Sequence, residues 1–269
     1  MKPAIRFANS FDIEALVKIW SICFGDSDTY IRKFIDLCFK PENTVVAEWN
    51  GNVVGVIYML PGEMEGRKFM YGYAIGVLPD YRGNDICEKM HRFVQEHTQK
   101  NDWVYGLHPA NEKLFTYYRK TGLRDMYALK VYEAETTIRT SGLKMDDMDT
   151  KTWLCERKEI FSPAVLWDYD MLHYIHNEII HCGGFVKKVT FDEGERFIVG
   201  DLREGVVCIK ETSMCEDEVL KYAEELCALF GEKHIRFYLP EKSSIGKSEI
   251  QILGFGERRE DVYMNLFMD

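Results

Sequence analysis

Tyr71-Gly-Tyr-Ala-Ile-Gly-Val-Leu-Pro-Asp-Tyr-Arg-Gly-Asn-Asp-Ile-Cys-Glu-Lys-Met90 decides how the rest of the chain is read. Tyr73, Ile75 and Val77 alternate as a half-buried strand does. Pro79 ends that strand, because proline has no N–H to give to a ladder. Tyr81-Arg82-Gly83-Asn84 is a short basic turn. From Asp85 onward Ile86, Met90, Phe93 and Val94 fall at helical spacing. A strand, a polar turn and a helix start together form an anion site. The N–H groups of the helix's first turn point outward, and the helix dipole favours negative charge there. Arg82 adds a cation suited to phosphate. The turn residues Arg82, Gly83, Asn84, Asp85, Ile86 and Cys87 are therefore candidates for holding a diphosphate-bearing ligand.

Val77-Leu-Pro-Asp-Tyr-Arg82-Gly-Asn-Asp85-Ile-Cys87 resembles the acetyl-CoA motif of the GNAT superfamily of N-acetyltransferases, roughly V-x-P-x-x-R-G-x-G-x-G/A. A second segment, Asn111-Glu-Lys-Leu-Phe-Thr-Tyr-Tyr118-Arg-Lys-Thr-Gly122-Leu123, resembles that family's N-x-x-A-x-x-x-Y-x-K-x-G-F helix and turn. The departures fall at two positions: Asp85 stands where the motif has glycine, and Cys87 where it has glycine or alanine. Glycine lets backbone approach a phosphate closely, and a carboxylate adds like charge.

The resemblance implies a mixed, mostly antiparallel α/β (α+β) sheet flanked by helices, with acetyl-CoA as co-substrate. It also implies an arm of that coenzyme along the open backbone of Ile75 to Val77. Tyr118 matches the family tyrosine near the coenzyme sulfur and is the candidate proton donor to the leaving thiolate. Asn111 either touches the coenzyme or serves only as a helix cap. His108, at the end of the next strand, is a candidate base for the amine proton. Tyr117, one residue away from Tyr118, is expected to face elsewhere. Cys87 begins a helix, which lowers a thiol's pKa, yet reads as a small helix residue rather than a nucleophile. Glu63, Glu65 and Asp269 are bases only if folding brings them close.

The 269 residues suffice for one large domain or two modest ones, and 46% apolar with 13% aromatic residues supports a packed core. No stretch approaches the ~20 apolar residues of a membrane span, and the first residues lack a long apolar signal core. A cytoplasmic protein with no membrane partner is expected. The eight cysteines show no C-x-x-C pair and no metal spacing, so free thiols and no metal are expected. The formal net charge is −10, with 19 basic against 21 acidic residues in 1–150 and 15 against 23 in 151–269. Such a chain is a poor nucleic-acid binder, and its acidity suits cationic amines. Homo-oligomerisation is left open.

In chain order, Ala4-Ile-Arg-Phe-Ala8 reads as a strand. Asn9 or Ser10 then caps a helix to Ile22, and Ile31 to Phe39 reads as a second helix. Asp26, Asp28 and Tyr30 between them either meet a cationic amine or, for the aspartates, cap the second helix. Asn50-Gly51 between apolar runs marks a hairpin. Residues 67–77 form the central strand, residues 102–108 the next, and Met126 to Tyr132 closes the sheet. Residues 136–150 read as a linker, giving an acetyl-CoA-binding domain over 1–135 and a second, degenerate GNAT-like domain over 151–269. There Ser162-Pro163 is expected to open a helix. Strands are expected at 185–189, 197–201, 206–210, 234–239 and 262–267, with a helix over 216–230. The expected activity is acetyl transfer to a primary amine of a small molecule or peptide by direct attack on the thioester. Asp85 and Cys87 favour the alternative, a sensor or interaction protein that has lost catalysis.

Overall fold

A computed structural model describes residues 3–137 and 140–265. The chain forms two compact units. The first runs to Arg124 and includes Leu253–Glu257; the second comprises Asp125–Ile252 and the residues from Arg258 onward.

In the first unit, β1 (Ala4–Phe7) is followed by α1 (Ile13–Phe24) and α2 (Asp28–Cys38). Then come β2 (Thr44–Trp49), β3 (Asn52–Met64), β4 (Arg67–Val77), α3 (Ile86–Lys100), β5 (Val104–Leu107) and α4 (Glu112–Lys120). β1, β2, β3 and β4 are consecutive antiparallel neighbours. The β2–β3 turn is Asn50-Gly51, both with positive φ, as a tight hairpin requires. α3 crosses over so that β5 joins β4 in parallel. Asn9 caps a short 3-10 turn before α1, and Ser27 rather than either aspartate caps α2. α1 packs closely on β4: a Cβ on Gly76 would lie 3.2 Å from the Cys23 sulfur. Trp20 sits at the centre of that contact, with ring centroids 4.7 Å from Phe34, 5.5 Å from Tyr58 and 5.8 Å from Tyr73.

β4 is irregular on both of its edges. Its register with β3 slips between Val56 and Tyr58, and Ala74 at that bulge has φ +44°, in the left-handed region that alanine rarely adopts. Its pairing with β5 covers only Phe69–Gly72 against Val104–Leu107. Tyr73 to Val77 therefore leave their β5-side backbone groups without a ladder.

In the second unit, β6 (Arg124–Glu135) leads into β7 (Lys144–Asp147), α5 (Thr150–Ile160) and α6 (Tyr169–His181). β8 (Phe185–Phe191), β9 (Gly194–Arg203), β10 (Val206–Thr212), α7 (Glu216–Leu229), β11 (His234–Pro240) and β12 (Lys247–Phe255) complete it. From β7 to β11 the order of elements repeats that of β1 to β5. The senses repeat too: β7 is antiparallel to β8, β8 to β9 and β9 to β10, and β11 is parallel to β10 after a helical crossover. β6 lies antiparallel to β11, and the end of β12, Leu253–Phe255, lies antiparallel to β5 in the first unit.

Four details differ from the sequence reading. Residues 136–150 hold the edge strand β7, whose alternation is hidden because Met145 is its one apolar residue. Ser162-Pro163 does not open a helix; Asp168 does, its carboxylate accepting from the Met171 N–H at 2.8 Å. α5 is hidden in the sequence because its buried face contains Arg157, which donates to the equally buried Glu211 at 2.9 Å. The expected strand 262–267 is reduced to a bridge between Tyr263 and Ala164, and its last two residues lie outside the described ones.

The core of the second unit is built from Val189, Ile198, Val207, Ile209, Val219, Leu226 and Phe237, all buried. Gly200 is essential to its sheet, because a Cβ there would sit 1.9 Å from the Cys208 carbonyl oxygen. Backbone cannot yield as a flexible side chain does. Gly200→Ala is expected to destabilise the protein by about 3 kcal/mol or more; equal urea midpoints for variant and wild type would contradict this packing.

Candidate active site

A cleft of about 500 Å³ opens in the first unit where β4 and β5 part. Ile75, Gly76 and Val77 of β4 form one side, Arg82, Gly83, Asp85, Ile86 and Cys87 the turn and first helical residues, and Leu114, Tyr117 and Tyr118 the opposite side. Cys23 and Phe24 close it from α1. The strand split makes the cleft. Gly72 is the last residue of the β4–β5 ladder, and the Tyr105 hydroxyl would stand 2.2 Å from a Cβ there. That buried hydroxyl has no hydrogen-bond partner among the described residues.

The turn is built much as its sequence suggests. Asp85 is the N-cap residue of α3, with φ +57° and no side-chain hydrogen bond to the helix. Its left-handed backbone is what the motif glycine would supply without strain, and its carboxylate is exposed. Gly83, at φ +78°, has nothing within 4 Å of a would-be Cβ, so backbone is openly presented there. Lys89 donates to the Asn84 carbonyl at 2.8 Å, which brings a second cation to the turn. The sequence reading missed Lys89; its position one turn into α3 was the available signal.

Arg82 behaves differently from expectation. Its Nε donates to the Val77 carbonyl at 2.9 Å, and its guanidinium reaches the Cys23 sulfur at 3.8 Å. It ties the turn back to β4 and donates to the Val77 carbonyl, so the open stretch of β4 backbone ends before that carbonyl. Asn84 braces the turn through the Tyr81 carbonyl at 3.0 Å and does not line the cleft. Asn111 caps α4, accepting from the Leu114 N–H at 3.1 Å, and is also absent from the lining.

The two tyrosines both face the cleft. Adjacent helical residues point about 100° apart, yet a groove running across the helix touches both. Tyr118 is 6% exposed and packs edge-on against His91 at 5.3 Å between centroids. Tyr117, 38% exposed, lies beside Cys87, whose sulfur is 3.5 Å from His91 Nδ1. Burial raises the pKa of both phenols, with the neighbouring Cys87 adding to the shift, so both hold their protons at neutral pH. Burial also pushes the Cys87 thiol up to about 11, with the neighbouring Tyr117 opposing the shift. Cys87 is a neutral thiol, not a nucleophile.

His108 lies just past β5 with its ring 6.1 Å from Phe115, and it does not line the cleft. Asp26 accepts from the Trp20 indole at 2.7 Å, and Asp28 pairs with Arg32 at 2.8 Å. Both carboxylates thus have structural partners. Glu63 and Glu65 lie at the β3–β4 turn, outside the lining, and Asp269 lies outside the described residues.

His91, behind the tyrosines, is fully buried, and burial pushes it down to about 4 despite its bond to the Cys87 carbonyl at 2.9 Å. The unfolded chain takes up this proton near pH 6.5 and the native state only near pH 4. Stability is therefore expected to fall as pH drops through that window, by up to about 3 kcal/mol. Urea unfolding at pH 7 and pH 4.5 tests this, with His91→Gln losing much of the difference. An identical pH dependence in that variant would contradict the assignment.

Residues 4–124 match the family model described as an acetyltransferase (GNAT) domain. This match falls within the first unit, which therefore carries a GNAT acetyltransferase domain; it ends at residue 124. No curated protein matches it. Among solved structures it is similar to a GCN5-related N-acetyltransferase from Anabaena variabilis ATCC 29413 (15% identity, TM-score 0.67, 94% of this chain and 72% of that one). It is also similar to a probable N-acyltransferase from Enterococcus faecalis V583 (10%, TM-score 0.69, 94% and 72%). A third is a putative acetyltransferase from Pyrococcus horikoshii (16%, TM-score 0.58, 97% and 92%). At these identities the likeness is one of fold. Among the described residues no helix is long and apolar enough to cross a membrane, and no group of residues is arranged to hold a metal.

Proposed function

We propose that the protein transfers the acetyl group of acetyl-CoA to a primary amine of a small molecule or peptide, by direct attack on the thioester. The observation that carries this reading is the cleft itself, with open β4 backbone on one side and two protonated tyrosines on the other. Such a cleft fits a long, narrow, polar arm ending in a thioester. The backbone of Ile75 and Gly76 would bond the arm. The first turn of α3, Gly83, Ile86 and Lys89 would face the diphosphate, and Arg82 would hold the turn in place.

In the transfer, the neutral amine nitrogen attacks the acetyl carbon, a C–N bond forms and the C–S bond breaks. Tyr118 gives its phenolic proton to the leaving thiolate as the C–S bond breaks, and the resulting phenolate takes up a proton in turn. Tyr117 extends this wall beside Cys87. The surplus amine proton passes to water and, through water, one proton returns to the Tyr118 phenolate; no carboxylate lines the cleft apart from the exposed Asp85. The repeat of element order in the second unit supports reading it as a degenerate GNAT-like domain.

A panel of primary, secondary and quaternary amines, assayed for free thiol release from acetyl-CoA, tests the activity. Release is expected with one class of primary amine and none with quaternary amines. Thiol release unaffected by any amine would refute transfer to nitrogen.

A further inference from the structure

The second unit has its own cavity, of about 360 Å³. It lies where β10 gives way to α7, the place in the element order that β4 and α3 occupy in the first unit. Its chemistry is inverted. The first-unit turn carries Arg82 and Lys89, whereas α7 opens with Glu216, Asp217 and Glu218. Glu216, Glu241, Glu260 and Asp261 line the second cavity, with Lys242 the only cation in the lining. Arg258 pairs with Glu241 and Glu260, and Arg259 with Asp261, but among the lining residues four carboxylates face one lysine, which disfavours a diphosphate. The remaining walls are largely apolar: Phe161, Pro163, Met214, Leu239 and Val262. Phe161 is held by Tyr263, stacked at 4.2 Å.

The decisive group is Glu241. Its side chain is 9% exposed. Arg258 and the Ser248 hydroxyl both donate to Oε1. Oε2 is buried and has no hydrogen-bond partner among the described residues. A desolvated carboxylate oxygen without a donor is costly, and a ligand N–H removes that cost. Glu216 stands nearby as an anion: the Ser244 hydroxyl and the Ser244 N–H, the latter at 3.0 Å, hold its pKa below the ordinary carboxylate range.

We propose that this cavity is a binding site for an organic primary ammonium ion with an apolar body, its N–H groups directed to Glu241 Oε2 and its body against Phe161 and Met214. A primary ammonium offers three donors on one charge, which a quaternary ammonium lacks. The apolar walls favour a ligand with a hydrocarbon portion over a bare metal cation.

Binding of 2-phenylethylammonium chloride to the full chain, without acetyl-CoA, tests the proposal by calorimetry. The neutral analogue 2-phenylethanol and the variant Glu241→Gln are each expected to give at least tenfold weaker binding. Cys215 also lines the cavity and is exposed. Its alkylation by iodoacetamide, followed peptide by peptide, should slow at least fivefold when the ammonium ion binds to wild type. Cys155 and Cys182, exposed but outside the lining, should keep their rates. This readout needs no variant, so a Glu241→Gln protein that fails to fold does not leave the matter open. Equal affinity for the alcohol, undiminished affinity in a folded Glu241→Gln, or an unprotected Cys215 would each overturn the proposal. The last outcome covers an amine held only in the first-unit cleft.

Discussion

Replacing Tyr118 by phenylalanine is expected to lower kcat by on the order of 10²-fold while leaving coenzyme affinity within about threefold of wild type. The ring fills the same space beside His91, so the cleft keeps its shape. What disappears is the proton that the thiolate needs as the C–S bond breaks. Because burial holds that phenol protonated, the loss should be similar from pH 6 to pH 9. Tyr117→Phe should cost much less, since Tyr117 is 38% exposed and is not the residue assigned to the sulfur. Single-turnover rates distinguish the two tyrosines. If Tyr118→Phe turns over at the wild-type rate with chemistry limiting, or if Tyr117→Phe is the slower variant, the proton comes from elsewhere.

Asp85→Gly is expected to tighten coenzyme A binding by roughly ten- to a hundredfold at low salt. A carboxylate within ~5 Å of a diphosphate repels it by about 1–3 kcal/mol at an effective dielectric near 20, and by less when solvated. Asp85 lines the cleft, and its side chain does not turn back to cap α3. Nothing in its own hydrogen bonding removes the charge from the ligand's path. The gain should shrink as salt rises, as a screened repulsion must. Glycine also relaxes the left-handed backbone at this position, so the variant should be more stable by about 1 kcal/mol. Calorimetry at two salt concentrations and a urea melt separate the two effects. Unchanged affinity at every salt concentration, with the stability gain present, would mean that the ligand's charges lie away from residue 85.

The strand–turn–helix that sets the cleft was legible because proline and glycine punctuate it. Pro79 stops β4, Gly83 takes positive φ, and the apolar spacing changes period at Ile86. The place of Tyr118 in the cleft wall was legible for the same reason, as a helical position at fixed distance from a glycine stop. What was not legible depended on partners distant in sequence. Arg82 reads as a phosphate ligand until folding puts the Val77 carbonyl within reach. Tyr117 is excluded by helix geometry alone and readmitted by the width of the groove. His91 carries no local sign that it will be wholly buried behind the tyrosines. The end of β12 covers β5 from far along the chain, so a fragment ending at residue 135 lacks a strand of the first unit. β7 and α5 escaped because an edge strand and a helix with a buried arginine both look like polar chain.

If the first-unit cleft is the coenzyme site, filling it must abolish binding. Calorimetric titration of coenzyme A into the full chain, beside a Cys87→Trp variant that fills the cleft between Tyr117 and the start of α3, tests this in one measurement. One molecule should bind per chain, and the tryptophan should weaken binding by at least tenfold while circular dichroism stays unchanged. No detectable binding to wild type, or equal binding to a folded Cys87→Trp, would contradict it.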